Sequence, residues 1–533
     1  MSAPRPAPQR SSTIVCVGGG ISAIALGARL KSHHNFDDLT LYERDTHLGG
    51  TWHANSYPGA ACDIPTALYS FSFAQNPEWT VLHPPSGEIK AYVEKVAQDY
   101  GLVEKTTFRT EAFRAEWDDK TNRWYVWVRN LDSGDEYVHE CKILFSATGL
   151  LVDPMIPQIP GQEKFEGAAM HSSRWDHSVS LEGKNVAIIG NGCTAAQIVP
   201  AIAPKVKSLT QFIRSKHWIQ KAIDIEYTPK IRWFLRNVPL AQRLHRFAVF
   251  LAAEWDYRLQ GASKYSAKQR AAKMKEVEAY MRSKAPARFH DLLIPDFQIG
   301  CKRRIMDPGP GYLESLNNEH VMLTDEKVVE LTSNSIRTPT RDYPVDVIVY
   351  ATGFQTGSFM SPMEVFGRGG ESLTEHWSRL GGPGAYNCTA LHGFPNFFFI
   401  LGPNTATGHT SCILASENTV MYALKVAKPI LDGYASTVEP KEEAEKAYVK
   451  RVQDELQKSN FSKGGCSSWY KSAKDGWNAT MYPWSQVHFY YTCKFVKWKD
   501  WTTTYTRRRP VSKWLWFGAL LALVGGILGY PRL

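Results

Sequence analysis

The sequence lacks any pair of cysteines at the spacing that a metal site or a redox disulfide requires. Its nine cysteines stand singly, at positions 16, 62, 141, 193, 301, 388, 412, 466 and 493. None of them forms a C-x-x-C pair, so a zinc-ligand motif is excluded and no metal is expected. Scattered cysteines predict reduced, structural thiols in a protein body that faces the cytosol.

The N-terminus lacks an apolar stretch, and the body of the chain lacks a strong charge of one sign. Residues 1–10 (MSAPRPAPQR) cannot be a secretory signal peptide and predict a disordered lead-in. The formal net charge is +10, but residues 494–533 hold eight Lys and Arg against one Asp, a net of +7. The remaining +3 on the body is too small for a basic groove that binds nucleic acid.

One long apolar run lies at the C-terminus. Residues 514–530 (WLWFGALLALVGGILGY) contain 17 residues without a charge, close to the length that spans the thinner bilayer of the endoplasmic reticulum. The preceding basic segment, residues 491–513, predicts a cytosolic body. The run therefore predicts a single-pass membrane anchor, with a buried core helix as the alternative.

A glycine turn follows the first apolar strand (TIVCV). Gly18, Gly20 and Ala23 form a G-x-G-x-x-A pattern that opens a helix. Small residues let the backbone approach a pyrophosphate, whose charge the helix N-terminus favours. Glu43 ends the next strand, where a carboxylate accepts hydrogen bonds from ribose hydroxyls. This order of elements predicts a dinucleotide site.

A second glycine turn lies about 170 residues later and repeats the plan. Its small and polar residues are Gly190, Gly192, Thr194 and Ala195. The strand that follows ends at Arg214 and Lys216, where an NAD site would have an acid. An acid repels the ribose 2′-phosphate, whereas arginine and lysine bind it. The second site is therefore predicted to bind NADPH.

Two dinucleotide sites in one chain predict hydride transfer from NADPH to a flavin. Disulfide reductases share this plan, but they need a cysteine pair after the glycine turns, where this chain reads Gly49-Gly50-Thr51-Trp52. The predicted fold class is α/β, with two Rossmann-like domains for FAD and NADPH, a helical insertion and a C-terminal transmembrane helix. The predicted FAD domain covers residues 11–155 and 336–490, and the NADPH domain covers 156–335 with its insertion at about 222–292.

Two longer motifs carry a family resemblance. Residues 49–63 (GGTWHANSYPGAACD) resemble the GGTWxxNxYPGxxxD signature of Baeyer–Villiger monooxygenases, and residues 165–176 (FEGAAMHSSRWD) resemble their second signature, FxGxxxHxxxW[PD]. Each signature fixes five or more positions. With the ATG segments at 147–149 and 351–353, the resemblance runs from about residue 12 to residue 425. The chain thus resembles a class B flavoprotein monooxygenase of the Baeyer–Villiger branch.

The resemblance implies a reaction and a set of site residues. It implies that FAD and NADPH act together to insert one oxygen atom of O₂ into a hydrophobic ketone, giving an ester or lactone. It assigns the active-site arginine to Arg303, with Arg304 as the neighbouring alternative, and the carboxylate that orients it to Asp63. The remaining cofactor-binding residues that it implies are Gly50, Thr51, Trp52, Tyr57, Thr352 and Gly353.

Other functions stay open at this stage. A flavin-dependent N- or S-oxygenase or hydroxylase of the same superfamily is the main alternative, and a non-oxygenating flavin-binding membrane protein is a remote one. The predicted anchor resembles that of fungal enzymes that tailor natural products, which suggests secondary metabolism and an endoplasmic-reticulum location. The sequence leaves the substrate and the oligomeric state undetermined.

Overall fold

Apolar strands that end in glycine turns build the two largest sheets of the protein. The structure, a computed structural model, describes residues 7–223, 225–307, 311–356, 359–472 and 474–507. Strand β1 (Arg10–Val17) begins within the predicted N-terminal lead-in, whose residues 1–6 lie outside the described residues. Its last four residues are buried on both faces of a sheet, as continuous apolar strands are in parallel sheets.

The other strands follow β1 along the described chain. They are β2 (Leu39–Tyr42), β3 (Thr106–Thr107), β4 (Thr110–Asp118), β5 (Arg123–Asn130), β6 (Glu136–Ser146), β7 (Ala168–His171), β8 (Asn185–Ile189), β9 (Ser208–Phe212), β10 (Ile219–Lys221), β11 (Ile305–Asp307), β12 (Val321–Thr324), β13 (Glu330–Leu331), β14 (Ser335–Arg337), β15 (Asp342–Pro344), β16 (Val347–Tyr350), β17 (Glu364–Phe366), β18 (Phe397–Phe399), β19 (Ala435–Pro440) and β20 (Trp501–Tyr505).

The helices are concentrated in three stretches of the described chain. They are α1 (Ile21–His34), α2 (Thr51–Ala54), α3 (Ser86–Asp99), α4 (Cys193–Ile202), α5 (Pro229–Asn237), α6 (Ala241–Trp255), α7 (Lys264–Lys284), α8 (His290–Leu293), α9 (Tyr312–Ser315), α10 (Leu373–Leu380), α11 (Cys412–Leu431), α12 (Glu442–Lys458), α13 (Asn460–Lys463) and α14 (Gln486–Lys494). Short 3₁₀ helices lie at Gln162–Lys164, Ser172–Arg174, Asp256–Leu259, Ala287–Phe289, Arg368–Gly370 and Trp498–Asp500.

The larger sheet holds the first glycine turn. Its strand order is β17-β4-β5-β6-β1-β2-β3, and β18 also pairs with β6. Strand β1 is parallel to both β2 and β6, so β1, α1 and β2 form a parallel crossover unit. Helix α11 packs on α1, which closes the far face of the glycine turn. The parallel half of the sheet therefore presents the first turn at the carboxyl end of β1, where open α/β sheets bind ligands.

The second sheet is parallel throughout and holds the second glycine turn. Its order is β12-β9-β8-β16-β7, and β8 runs into α4 through the turn. Strand β16 lies beyond residue 335, the predicted limit of the NADPH domain, yet it pairs with both β8 and β7. The two Rossmann-type units expected from the sequence are both present.

The two units meet at the loop after α2. The Tyr57 hydroxyl donates to Gln197 Oε1 at 2.7 Å, and Gln197 Nε2 donates to the carbonyl oxygen of Ala61 at 2.9 Å. Gly59 has φ +81, and a Cβ there would clash with the backbone oxygen of Gln197. Helix α4 of the second unit therefore packs directly on residues 57–61 of the first unit, within the signature loop, residues 57–63, which is part of the first signature motif.

Helices α5 to α8 occupy the range that the sequence assigns to a helical insertion. Arg246 on α6 fixes this insertion to the first unit, donating to the carbonyl oxygen of Ser70 at 2.8 Å and pairing with Glu417 at 3.6 Å. Burial lowers the pKa of Arg246, and the Glu417 carboxylate opposes that shift. The outer side of α6 exposes a row of large apolar side chains at helical spacing: Leu244, Phe247, Leu251 and Trp255.

The prediction of a C-terminal transmembrane helix is corrected by the structure. Within the described ranges, no helix combines the length and the apolar character needed to cross a membrane. The predicted anchor, residues 514–530, lies outside the described residues. Much of the predicted juxtamembrane segment, residues 491–513, folds on the body, since β20 pairs with β19. The described part of the chain therefore contains no membrane span, and the predicted membrane localisation is corrected together with the predicted helix.

The expectation that all nine cysteines are reduced is also wrong. Cys301 and Cys466 form a disulfide, with Cα atoms 6.2 Å apart, and the other seven cysteines are free thiols. The two partners are separated by 165 residues. A pair so distant in sequence forms only because tertiary packing brings its backbones together, so no local spacing motif could reveal it.

The second glycine turn predicts a contrast in stability. Gly190 has φ +122, and a Cβ there would clash with the carbonyl oxygen of Ala351, whereas Gly192 has φ −75 and no atom within 4 Å of its would-be Cβ. We expect Gly190→Ala to lower the free energy of unfolding by about 1–3 kcal/mol. Gly192→Ala should cost less than about 1 kcal/mol. Thermal unfolding of both variants measures the difference, and equal midpoints would contradict this account.

Candidate active site

Glu43 closes the first glycine turn from the end of β2. Its Oε2 accepts a hydrogen bond from the backbone N–H of Gly19 at 2.6 Å, and its Oε1 accepts one from Asp45 at 2.8 Å. Burial raises the pKa of Glu43, and these two amides oppose the rise. The carboxylate is thus fixed beside the turn, at the position where the sequence analysis expects a ribose.

The first turn also leaves room for a ligand backbone. Gly20 precedes α1 with φ −79, a conformation open to any residue, and its would-be Cβ meets only the Cα of Gly50, at 3.7 Å. The fold itself therefore does not require glycine at position 20, whereas close approach of a pyrophosphate does. Ala23 is fully buried in α1, and Thr51 opens α2 directly after Gly50. These residues fit a dinucleotide such as FAD.

The second turn offers the same kind of space. Gly192 precedes α4, and its would-be Cβ faces open space. Ala195 is fully buried behind it, and Thr194 lies beside the Tyr57 hydroxyl at the junction of the two units. A glycine that the fold does not require, placed at a helix N-terminus, fits the approach of a second pyrophosphate.

Three cations gather next to the second turn. Arg214 and Lys216 follow β9, and Lys302 reaches the same segment by donating from Nζ to the Ser215 hydroxyl at 3.2 Å. Burial, with the Arg214 charge added, lowers the pKa of Lys302 to about 8. Lys302 directly precedes Arg303 but belongs to none of the sequence motifs, so it was not among the predicted binding residues. The arrangement fits a phosphate monoester such as the 2′-phosphate of NADPH.

Arg303 and Asp63 form a bidentate ion pair across the junction of the two units. Arg303 Nε donates to Asp63 Oδ2 at 3.0 Å, and Nη2 contacts Oδ1. The side chains are 25% and 21% exposed, so the pair is largely buried and still reaches solvent. Burial alone would lower the pKa of Arg303 and raise that of Asp63, but each partner outweighs this effect, so the pKa of Arg303 rises and that of Asp63 falls.

Arg304 has a different environment from Arg303. Burial and then the repulsion of Arg303 lower the pKa of Arg304, and attraction by Asp63 and Asp256 only partly opposes this. The backbone oxygen of Arg304 accepts a hydrogen bond from the Cys193 thiol at 3.6 Å, which ties this residue to α4. Of the two arginines, Arg303 is the one that holds the carboxylate.

Aromatic and thiol side chains surround the Arg303–Asp63 pair. The Trp52 indole donates to the Tyr69 hydroxyl at 2.8 Å, and the Cys412 thiol contacts the same oxygen at 3.4 Å. Burial raises the pKa of Tyr470 to about 12, and the charge of Arg303 opposes this shift. Such a lining favours an uncharged, apolar ligand and strengthens the electrostatic effect of the arginine.

Two of the sequence-predicted cofactor residues have contacts at the linker between the units. The Thr352 hydroxyl donates to the carbonyl oxygen of Met155, and the carbonyl oxygen of Gly353 accepts from Met155 N at 2.9 Å. His171 Nε2 also contacts Gly353 O at 3.0 Å. These contacts hold the linker together, and they do not bring Thr352 or Gly353 into contact with Arg303 or Asp63.

Comparison with known proteins identifies the family. Residues 16–83 match the model of the NAD(P)-binding Rossmann-like domain, and residues 66–228 match that of L-lysine 6-monooxygenase/L-ornithine 5-monooxygenase. A Baeyer–Villiger monooxygenase of Pseudomonas aeruginosa is 34% identical over 90% of this chain and 89% of its own length. The FAD-binding monooxygenase ktnD of Aspergillus niger is 32% identical over 92% of this chain and 81% of its own length.

Solved structures agree with this similarity. Steroid monooxygenase bound to NADP superposes with a TM-score of 0.79 and 26% identity, covering 93% of this chain and 99% of that one. Closed cyclohexanone monooxygenase has a TM-score of 0.82 at 23% identity, covering 93% of this chain and all of the other, which supports the fold. The chain belongs to the Baeyer–Villiger monooxygenase family and is an FAD- and NADPH-dependent monooxygenase.

Proposed function

We propose that the protein converts a hydrophobic ketone into an ester or lactone, at the expense of NADPH and O₂. The observation that carries this proposal is the bidentate pair of Arg303 and Asp63, which lies at the junction of the two glycine-turn units within an aromatic lining. A natural-product intermediate is the substrate type we favour, because aromatic side chains such as Trp52, Tyr69 and Tyr470 lie around the pair.

The proposal gives each unit one cofactor. Gly18, Gly20, Glu43 and the Gly50–Thr51 segment would hold FAD, and the Gly192 turn with its three cations would hold NADPH. Trp52 contacts Tyr69 within the first unit, and Tyr57 contacts Gln197 of the second unit. When bound, the two cofactors supply hydride transfer and the activation of O₂. The residues of the chain would position the two cofactors and exclude water from the surroundings of the Arg303–Asp63 pair.

Arg303 would act on the ketone oxygen. A guanidinium has five N–H donors, and its hydrogen bonds to Asp63 and to the carbonyl oxygen of Gly408, at 3.5 Å, use three of them. The other donors can be directed at the negative charge that develops on the ketone oxygen during oxygen insertion. Asp63 fixes the orientation of the guanidinium and keeps it charged.

N-oxygenation of an amine is the second candidate reaction. It is favoured by the match of residues 66–228 to the L-lysine and L-ornithine monooxygenase model. Oxygen transfer to an amine develops no negative charge on a carbonyl oxygen, so such a reaction asks less of Arg303. The role of this arginine therefore separates the two candidates.

The cations near the second turn predict a specific loss of NADPH use. We expect Arg214→Ala and Lys216→Ala to raise the KM for NADPH roughly 10- to 100-fold, since a charge-assisted hydrogen bond contributes about 1.5–3 kcal/mol. NADH lacks the 2′-phosphate, so its KM should hardly change. Gly192→Ala is the matched contrast, because its added methyl group should impair both coenzymes. Steady-state kinetics with each coenzyme test this, and equal losses for both in the cation variants would contradict it.

Lys302 predicts a pH dependence. Its pKa of about 8 means that the ammonium is charged below pH 8 and neutral above it. Attraction of the 2′-phosphate is therefore lost as the pH rises, and kcat/KM for NADPH should fall between pH 7 and 9. Lys302→Arg should flatten this profile because a guanidinium stays charged. The pH profile with NADH is the control. If kcat/KM for NADH falls to the same extent in the wild type, Lys302 does not act on the 2′-phosphate.

Substitution of Arg303 tests its role in ester formation from ketones. Arg303→Ala should lower ester formation by about 100- to 1,000-fold, the usual loss when one charge-stabilising donor is removed. NADPH oxidation should continue more slowly and yield hydrogen peroxide. Arg303→Lys should restore little, and Arg304→Ala should be mild. Ester and peroxide formed per NADPH are measured together with a panel of ketones. Full ester formation by Arg303→Ala would contradict the role given to Arg303, whereas a wild type that oxygenates amines and forms no ester from any ketone would favour the amine reaction.

A further inference from the structure

The segment from residue 464 to residue 470 passes next to the Arg303–Asp63 pair. It begins where Gln298 N donates to the carbonyl oxygen of Gly464 at 2.9 Å, and it ends at Tyr470. The Tyr470 ring is 5% exposed and packs against Phe461 with centroids 6.0 Å apart. Tyr470 and Arg303 lie close enough for each to shift the pKa of the other. The position of this segment therefore affects the surroundings of the active-site arginine.

The Cys301–Cys466 disulfide joins this segment to the residues that lead into Arg303. Cys301 is fully buried and stands two residues before Arg303, whereas Cys466 is partly exposed. Between them Gly464 packs so closely on Cys301 that a Cβ there would clash with the Cys301 side chain. The link thus connects a surface loop to the backbone of the candidate active site.

Other attachments of this loop to the body are sparse in the part of the chain that the structure describes. Gly465, Ser467 and Trp469 are exposed. The Trp469 carbonyl oxygen accepts a hydrogen bond from the Thr356 hydroxyl at 3.3 Å, and Gly464 N donates to the Asn460 carbonyl oxygen at 2.9 Å. The hydrogen bonds of Ser468, from Tyr470 N to its hydroxyl and from Lys471 N to its carbonyl oxygen, both at 3.2 Å, are local. The buried contacts of this loop lie at its two ends, Gly464 and Tyr470. The exposed residues between them can move at low free-energy cost, so the disulfide is their main restraint.

We propose that the Cys301–Cys466 disulfide is a reversible positioning link, which holds the 464–470 segment against Arg303 when oxidised and releases it when reduced. With the link closed, Tyr470 is held beside the arginine and keeps water from it. With the link open, the loop can move away, and oxygen activation is less well coupled to the ketone. This inference rests on the proposed function for its substrate, although the link itself does not.

The redox chemistry of the link balances with simple reagents. A dithiol attacks the accessible sulfur of Cys466, Cys301 leaves as a thiolate and takes up a proton, and the second thiol of the reagent then displaces Cys466. The protein gains two electrons and two protons, and the reagent becomes a disulfide. In the reverse direction, the Cys466 thiolate reduces hydrogen peroxide to water and becomes a sulfenic acid, which Cys301 converts to the disulfide with loss of a second water.

Hydrogen peroxide is a suitable oxidant because the protein can make it. Reduction of O₂ by NADPH without oxygen insertion gives one hydrogen peroxide and one NADP⁺, with one proton consumed. Peroxide released by uncoupled turnover would therefore close the link and restore coupling. The link would act as a local feedback on the enzyme's own side product.

The test uses the full-length holoenzyme at two redox settings. Wild-type protein is equilibrated with dithiothreitol or with hydrogen peroxide, freed of the reagent, and assayed for ester and peroxide formed per NADPH. A parallel sample is denatured without reductant, and its thiols are counted. We expect seven free thiols after oxidation, as in the structure, and nine after reduction, the total in the sequence. Coupling should fall roughly three- to tenfold on reduction, since small displacements of positioned groups carry penalties of this order.

Two variants supply the controls. Cys466→Ser should show the low coupling of the reduced enzyme at both settings, and Ser467→Ala, an exposed neighbour in the same loop, should follow the wild type. The part of the tryptophan fluorescence that Trp469→Phe removes should change with the setting in the wild type and not in Cys466→Ser. Nine thiols at both settings, or unchanged coupling despite a change from seven to nine, would overturn the proposal. So would oxidised-like coupling in Cys466→Ser.

Failure of the proposed function would look different. In that case no ketone would yield an ester at either setting and each NADPH would give about one hydrogen peroxide at both, whereas the thiol count and the Trp469 signal would still depend on the link. The wild-type comparison needs no substitution, so it decides the matter even if a cysteine variant does not fold.

Discussion

The ion pair between Arg303 and Asp63 is the constraint on which the rest of the site depends. Removing two charges from water is costly, and the cost is offset only by good geometry between the partners. Here both carboxylate oxygens are engaged by one guanidinium, so neither partner can move alone without leaving a charge unpaired. The junction of the two units must therefore hold to within the tolerance of a hydrogen bond.

The contacts around the pair show how that tolerance is met. Gln197 binds both Tyr57 and the Ala61 carbonyl oxygen, and Gly59 lets the helix backbone come close. The same signature loop that supplies Asp63 thus forms the surface on which the second unit rests. The proposed NADPH site is joined to this frame as well, because Lys302, which donates to the Ser215 hydroxyl, directly precedes Arg303, which holds Asp63.

Local patterns made much of this predictable, and tertiary contacts account for the rest. Strand, glycine turn and helix are encoded within short segments, so the turns at Gly18 and Gly190 and their parallel sheets follow from the sequence. The signatures place Asp63 and Arg303 in a common site only through family resemblance, since 240 residues separate them. The Cys301–Cys466 disulfide and the place of Lys302 beside Arg214 and Lys216 are not marked by any local sequence motif. The apolar run at 514–530 shows the opposite case, in which composition alone suggested a span.

The two members of the central ion pair come from different nucleotide-binding units. Asp63 belongs to the unit of the first sheet, and Arg303 follows the insertion of the second. A chimera that took one whole unit from a distant relative would take only one partner of the ion pair from each parent. It would fold into an active site only if the new loop placed the second charge within hydrogen-bonding distance of the first. Domain shuffling among such enzymes therefore has to preserve this salt bridge as well as the packing of helix on loop at the junction.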